Sequence, residues 1–101
     1  MAAKGYWIFQ MDVHDMEGWK AYSAAAAPVL MDYGGRFLVR GGRADHVEGA
    51  APARSVVVEF PDYEAAVACW NSPGYTAAKA VRLPCGSGHV TLVEGIDADG
   101  H

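Results

Sequence analysis

Two hydrophobic periods alternate along this chain in an order that few folds satisfy. Residues 5–13, GYWIFQMDV, are aromatic and β-branched, the composition of a strand. Trp19, Tyr22, Ala26, Val29, Leu30 and Tyr33 follow at spacings of three and four, the stripe of an amphipathic helix. Residues 36–40 return to strand composition, and RSVVVEF, residues 54–60, reads as the strongest strand of all. Tyr63, Ala66, Val67 and Trp70 then restore the helical stripe. NSPGY breaks it, with Ser72 as an N-cap and Pro73 as the first residue of a further helix to about Arg82. LPCGSG reads as a turn, and HVTLVEGI, residues 89–96, as the last strand. The chain is thus a diverged tandem of one strand-helix-strand unit. That order predicts an α+β domain of ferredoxin-like topology, β-α-β-β-α-β, with a four-stranded antiparallel sheet and the helices on one face.

The punctuation agrees. Asp15 and Asp62 offer N-caps, and Glu17 complements the dipole of the first helix. Gly34 and Gly35 stop that helix, one of them in the left-handed conformation. Pro28 lies inside it and predicts a kink or local break, because it removes a donor and crowds the Ala24 carbonyl. Gly41 and Gly42 end the second strand. Residues 44–53 form a polar loop with room for a short strand near His46–Glu48.

Length and charge narrow the function classes. A chain of 101 residues makes one domain, with an ordered core over about 4–96 and a loose tail at 97–101. Arg36, Arg40 and Arg43 cluster in GGRFLVRGGR, but the net charge is −4, which argues against nucleic acid as a partner. Neither glycine pair opens a helix, as a phosphate cradle requires. Cys69 and Cys85 are too few for a disulfide framework, so a reducing cytoplasm is the expected location. The apolar run YWIF is too short for a signal peptide or a membrane span. His14, His46, His89 and His101 are scattered, and no metal or bound cofactor is expected.

Alternation assigns faces to each strand. Trp7, Phe9, Met11, Val13, Phe37, Val39, Val56, Val58, Phe60, Val90 and Leu92 suit the helix side. The bare side is left with Tyr6, Ile8, Gln10, Asp12, Arg36, Leu38, Arg40, Ser55, Val57, Glu59, His89, Thr91 and Val93. That set is too apolar for simple solvation and too polar for a dry interface. It suits two sheets packed face to face around a cavity with a few polar groups. If Phe37 meets Val58 and Val39 meets Val56, then Arg36 lies opposite Glu59 and Arg40 opposite Ser55. Tyr6, Gln10, Arg36, Arg40 and Glu59 are therefore the ligand-binding candidates. The alternative is an internal ion pair with an arginine at a dimer seam. Asp12 with His14 or His89 is the acid-base candidate, against a solvated strand end. Trp70, Ser72 and Tyr75 offer a gate, against core packing and a helix start. Cys69 reads as a small buried apolar residue.

KGYWIFQMDVHD, YGGRFLVRGG, VEFPDYEAAVACWNSPGYTAA and the closing VEG together resemble the bacterial domain-of-unknown-function family 1330, from about Lys4 to Ile96. The resemblance implies membership of the dimeric α+β barrel superfamily. That superfamily is similar in fold to antibiotic-biosynthesis monooxygenases, muconolactone isomerases and stress-responsive barrel proteins. It implies a homodimer whose two sheets close one barrel, and it implies no reaction. The family commonly carries Glu before the tyrosine of its Ser-Pro-Glu-Tyr motif. Here that position is Gly74, so no role for the carboxylate carries over. The expected function is binding of a small metabolite in a sheet-lined cavity. The alternatives are a cofactor-independent enzyme (monooxygenase-, isomerase- or lyase-like) on a carbonyl or aromatic metabolite, and a structural dimer without ligand.

Overall fold

The computed structural model describes residues 3–97 and 100. The elements are β1 (Gly5–Val13), α1 (Met16–Asp32), β2 (Arg36–Arg40), β3 (Arg54–Phe60), α2 (Tyr63–Trp70), α3 (Pro73–Arg82), a 3-10 turn at Leu83–Cys85, and β4 (Gly86–Glu94). The strands form a four-stranded antiparallel sheet in the order β2-β3-β1-β4, the ferredoxin-like arrangement. The molecule is a slab of 41 × 36 × 17 Å, one sheet and one helix layer thick. The expected loose tail falls largely on residues 98, 99 and 101, which lie outside the described residues, as does His101 of the scattered histidines.

Each helix starts where a capping side chain is available. Asp15 Oδ1 accepts from Gly18 N–H at 3.0 Å, Asp62 Oδ1 from Ala65 N–H at 2.8 Å, and Ser72 Oγ from Tyr75 N–H at 3.2 Å. Asp62→Ala is expected to cost about 1 kcal/mol. That is a fall of roughly 4–8 °C in thermal midpoint, and an unchanged melting curve would remove the cap from the reckoning. At the far end of α1, Gly34 N–H reaches the Met31 carbonyl at 3.0 Å and Gly35 N–H the Leu30 carbonyl at 2.8 Å. Gly34 sits at φ +80°, so the pair forms a Schellman stop.

Three local expectations need correction. α1 runs unbroken through Pro28. Both Pro28 and Ala24 are exposed, so water can take the carbonyl that the proline leaves without a donor. No strand forms at His46–Glu48; residues 42–50 are exposed coil with no neighbouring strand to pair with. The predicted turn LPCGSG is shorter than its sequence suggests. Gly86, Ser87 and Gly88 already belong to β4, opposite Val13, Asp12 and Met11, so that strand starts three residues before His89.

The alternation holds on β1, β3 and β4. Trp7, Phe9, Met11, Val56, Val58 and Phe60 are buried under the helices. Trp7 is the centre of this layer. Its ring lies 4.7 Å from Tyr75, 5.1 Å from Phe60 and 5.5 Å from Trp70, centroid to centroid. Its Nε1–H donates to the Ala66 carbonyl at 2.9 Å, which ties β1 to α2.

Candidate functional site

On the bare face, the predicted pairing of Arg36 with Glu59 is present. Arg36 Nε donates to Glu59 Oε1 at 2.9 Å, and Tyr6 Oη donates to Glu59 Oε2 at 3.0 Å. These three side chains occupy one row of the sheet, since Tyr6 and Arg36 both register with Glu59. The hydrogen bond from Arg36, then that from Tyr6, holds the Glu59 carboxyl below its ordinary pKa. The same hydrogen bond to Glu59 raises the Tyr6 hydroxyl.

The signs give a two-sided pH dependence. The depressed Glu59 contributes stability above its unfolded pKa, which is lost as pH falls through the folded value. The raised Tyr6 contributes stability below its unfolded pKa, which is lost as pH rises through the folded one. Glu59→Gln is therefore expected to lose more stability at neutral pH than at about pH 3. Melting curves of both proteins across that range check it, and a constant difference between them would contradict it.

The other bare-face candidates are brought together less closely. Gln10 registers with Ser55 on one side and His89 on the other. Asp12 registers with Ser87, so it is diagonal to His89, and its Oδ1 accepts from Ala53 N–H at 2.9 Å. Asp12 thus ties down the end of the loop over residues 41–53. His14 donates its backbone N–H to the Cys85 carbonyl at 2.9 Å.

Arg40 is not on the bare face. The register runs Arg36 to Glu59 and Phe37 to Val58, then slips, so that Val39 meets Val57 and Arg40 meets Val56. A bulge at Leu38 adds one residue to the edge strand and reverses the faces beyond it. Directly paired residues share a face. Val39 therefore joins Val57 on the bare side, and Arg40 joins Val56 on the helix side. The Arg40 guanidinium accordingly lies 4.2 Å over the Phe37 ring.

This places Arg40 at a slot between α1 and the β2–β3 half of the sheet. Phe9, Val56, Val58 and Phe37 line it from the sheet, and Trp19, Tyr22, Ser23, Ala26 and Leu30 line it from α1. Arg40 and Arg54 complete the wall. The space within it that water can enter is only about 20 Å³, room for about one molecule, and the 380 Å³ of non-atom space around it includes open solvent. Arg54 packs its guanidinium 5.5 Å from the Trp19 centroid, and its Nε is buried with no hydrogen-bond partner. It fits because Gly41 has no side chain: a Cβ there would lie 2.5 Å from the Arg54 Cζ, and Gly41 holds φ +70°. Sequence reasoning missed Arg54 as a site residue, although the alternation that turns Val56 inward turns it inward too.

Beside the slot is a buried polar cluster. The Tyr22 and Tyr75 hydroxyls stand 2.9 Å apart. Burial raises both above the ordinary phenol pKa, while the Arg82 charge acts in the opposite sense on each. Arg82 is 5% exposed, lies 5.8 Å from the Phe9 ring and 5.7 Å from the Tyr22 ring, and buries an Nε with no partner. The sequence signalled none of this, because a cation in the last turn of a helix reads as a dipole complement. Tyr75 and Ser72 are buried, and Trp70 meets Trp7 edge to face and Tyr75 at a tilt. Cys69 is fully buried, and burial, then the charge of Asp32, pushes its thiol up to about 12. At Gly74 a Cβ would come within 3.1 Å of Val29, so the missing side chain lets α3 approach α1 closely.

Among the described residues, no group of three or more His, Cys, Asp or Glu is placed to hold a metal ion, and no helix is long and apolar enough to cross a membrane. Among solved structures, the chain is similar to a protein of unknown function from Rhodopseudomonas palustris, with a TM-score of 0.77 and 15% identity over 96% of this chain and 85% of that one. It is similar to SnoaB, a cofactor-independent oxygenase from Streptomyces nogalater, with a TM-score of 0.66 and 14% identity over 96% and 97% of the two chains. A dimeric ferredoxin-like protein of unknown function from Thermobifida fusca matches with a TM-score of 0.52 and 13% identity over 93% and 91%. At such identities the likeness is one of fold. No curated protein matches the chain. The family described as a domain of unknown function (DUF1330) matches residues 4–96, nearly the whole length, and the chain belongs to that family.

Proposed function

We propose that two copies of this chain associate through their bare sheet faces and that each binds a small, partly apolar anion at the mouth of the slot beside α1. One observation carries the binding site. Arg40 and Arg54 flank an apolar slot, and among the described residues neither has a carboxylate partner, whereas Arg36 does. A guanidinium left without an acid at an apolar opening suits a carboxylate or a polarised carbonyl, which its planar fork can grip at two points.

The pairing of copies rests on the shape of the slab. Ile8, Val39 and Val93 are each about two-fifths exposed on the uncovered side of the sheet, around half-buried Val57. A second copy of the same face covers them by two-fold symmetry. In that arrangement Tyr6, Arg36 and Glu59 form a polar row at the seam, and Gln10 and His89 face the partner sheet. The Thermobifida fusca protein of similar fold is described as dimeric, which supports the reading. Both cysteines are free and buried, which suits a reducing compartment.

A second reading, turnover without metal or bound cofactor, is favoured by Tyr22. It lines the slot and its hydroxyl shares a hydrogen bond with that of Tyr75, so a phenol capable of proton transfer stands beside the wall. One experiment separates the two. Small aromatic carboxylates such as benzoate are expected to raise the thermal midpoint of the wild type. Arg40→Ala is expected to weaken them by about tenfold or more, the loss of a charged hydrogen bond. Equal affinity in Arg40→Ala contradicts the slot as the site. Mass spectrometry of each bound compound after incubation then decides the rest: an unchanged mass supports binding, a new one turnover.

A further inference from the structure

An anion held at the slot mouth lacks a cover. Water can enter only about 20 Å³ of the slot, so the body of a bound anion lies outside it, against exposed Arg40. Its apolar part then stays in water and contributes little to affinity, whereas ligand sites bury most of what they bind. One segment is placed to supply a further wall. The loop over residues 41–53 leaves from Arg40, the last residue of β2, and returns at Arg54, the first of β3. Both of its feet are thus residues of the slot wall.

The feet are fastened and the span between them is not packed down. Gly41 N–H donates to the Ser55 carbonyl at 2.8 Å, and Ala53 N–H to Asp12 Oδ1 at 2.9 Å. Residues 42–50 are all exposed, and none of them lines the slot. A Cβ at Gly42 or Gly49 would meet nothing within 4 Å, so neither glycine is pressed against a neighbour. Loops longer than about 12 residues without secondary structure are uncommon in a compact domain, and many are lids or binding loops. Val47 marks the apex, seven residues from each arginine. It is 92% exposed, more than any other large apolar residue among those described. An extended stretch of that length reaches roughly 23–25 Å, enough to fold Val47 back onto the mouth.

We infer that the loop over residues 41–53 is a lid that closes on an anion held by Arg40 and Arg54, with Val47 packed over the ligand's apolar body, a role that rests on the slot mouth being the binding site. The arginines that grip the ligand also carry the two ends of the loop, so filling the site and closing it are coupled. The ligand favours the closed form by the contacts that only the closed form makes.

Trypsin reads the lid directly, because Arg43 lies in the exposed span. With enough benzoate to fill the wild-type site, cleavage after Arg43 is expected to slow by about fivefold to tenfold, the result of a loop closed for most of the time. The loop is exposed before the ligand arrives, so a general gain in stability does not slow this cut, and covering does. Arg40→Ala at the same benzoate concentration controls for any effect on the protease, and is expected to lose most of the protection. Val47→Ala is expected to keep the wild-type melting curve without ligand, since its side chain faces solvent. By titration calorimetry it is expected to bind benzoate about threefold to tenfold more weakly, the loss of up to two buried carbon groups. Benzoate that binds through Arg40 and leaves the cleavage rate unchanged overturns the lid and leaves the slot standing. A Val47→Ala protein that binds and is protected like the wild type overturns it as well. If benzoate binds wild type and Arg40→Ala equally, or does not bind at all, the slot and the lid fall together.

Discussion

Trp7→Ala is expected to remove about 3–5 kcal/mol of stability, the cost of a large aromatic deleted from a packed core. For a domain whose total lies within roughly 5–15 kcal/mol, that is a large part of the whole. Trp7 is fully buried and meets Phe60, Tyr75 and Trp70, so the truncation empties the place where sheet and helices join. The same change leaves the Ala66 carbonyl without its side-chain donor. Trp7→Phe restores most of the volume without the N–H and is expected to fall between the two. Urea denaturation measures both, and a Trp7→Ala midpoint close to wild type would contradict the placing of the core.

Ile8→Asp and Val57→Asp are expected to separate the proposed dimer while each subunit stays folded. Both residues lie on the bare face outside the core, in register with one another on β1 and β3. An aspartate there is solvated in the monomer and would be buried without a partner in the proposed dimer. The penalty of several kcal/mol per ion corresponds to a weakening of the dimer by about a thousandfold or more. Sedimentation at micromolar concentration is expected to show a wild type of twice the chain mass of 10.7 kDa and variants at that mass. Variants that remain dimeric with native circular dichroism would move the interface elsewhere on the slab.

What was legible in the sequence follows from periods that nothing local disturbs. The order of elements and the inward faces of β1, β3 and β4 come from repeats of 2.0 or 3.6 residues, and the caps at Asp15, Asp62 and Ser72 from short polar side chains at helix starts. The Arg36–Glu59 pair came from the same rule. Arg40 was misplaced because one extra residue at Leu38 shifts the phase of an edge strand, and a five-residue segment is too short to show a slip in its own pattern. Tyr22, Tyr75 and Arg82 were each readable as helix residues, but their meeting depends on how α1 packs on α3, which no single-segment period encodes. The arginines at the slot, Arg40 and Arg54, therefore lie on the helix side of the sheet, and no sequence period singles out Arg54.

A crystal structure with 4-bromobenzoate tests the slot as the binding site most directly, because the anomalous signal of bromine locates the ligand without reference to any variant. The bromine is expected between α1 and the β2–β3 half of the sheet, with the carboxylate within hydrogen-bonding distance of an arginine lining that slot. Bromine found between the two sheets instead, beside Tyr6, Gln10 and Arg36, would place the site on the bare face and contradict the slot.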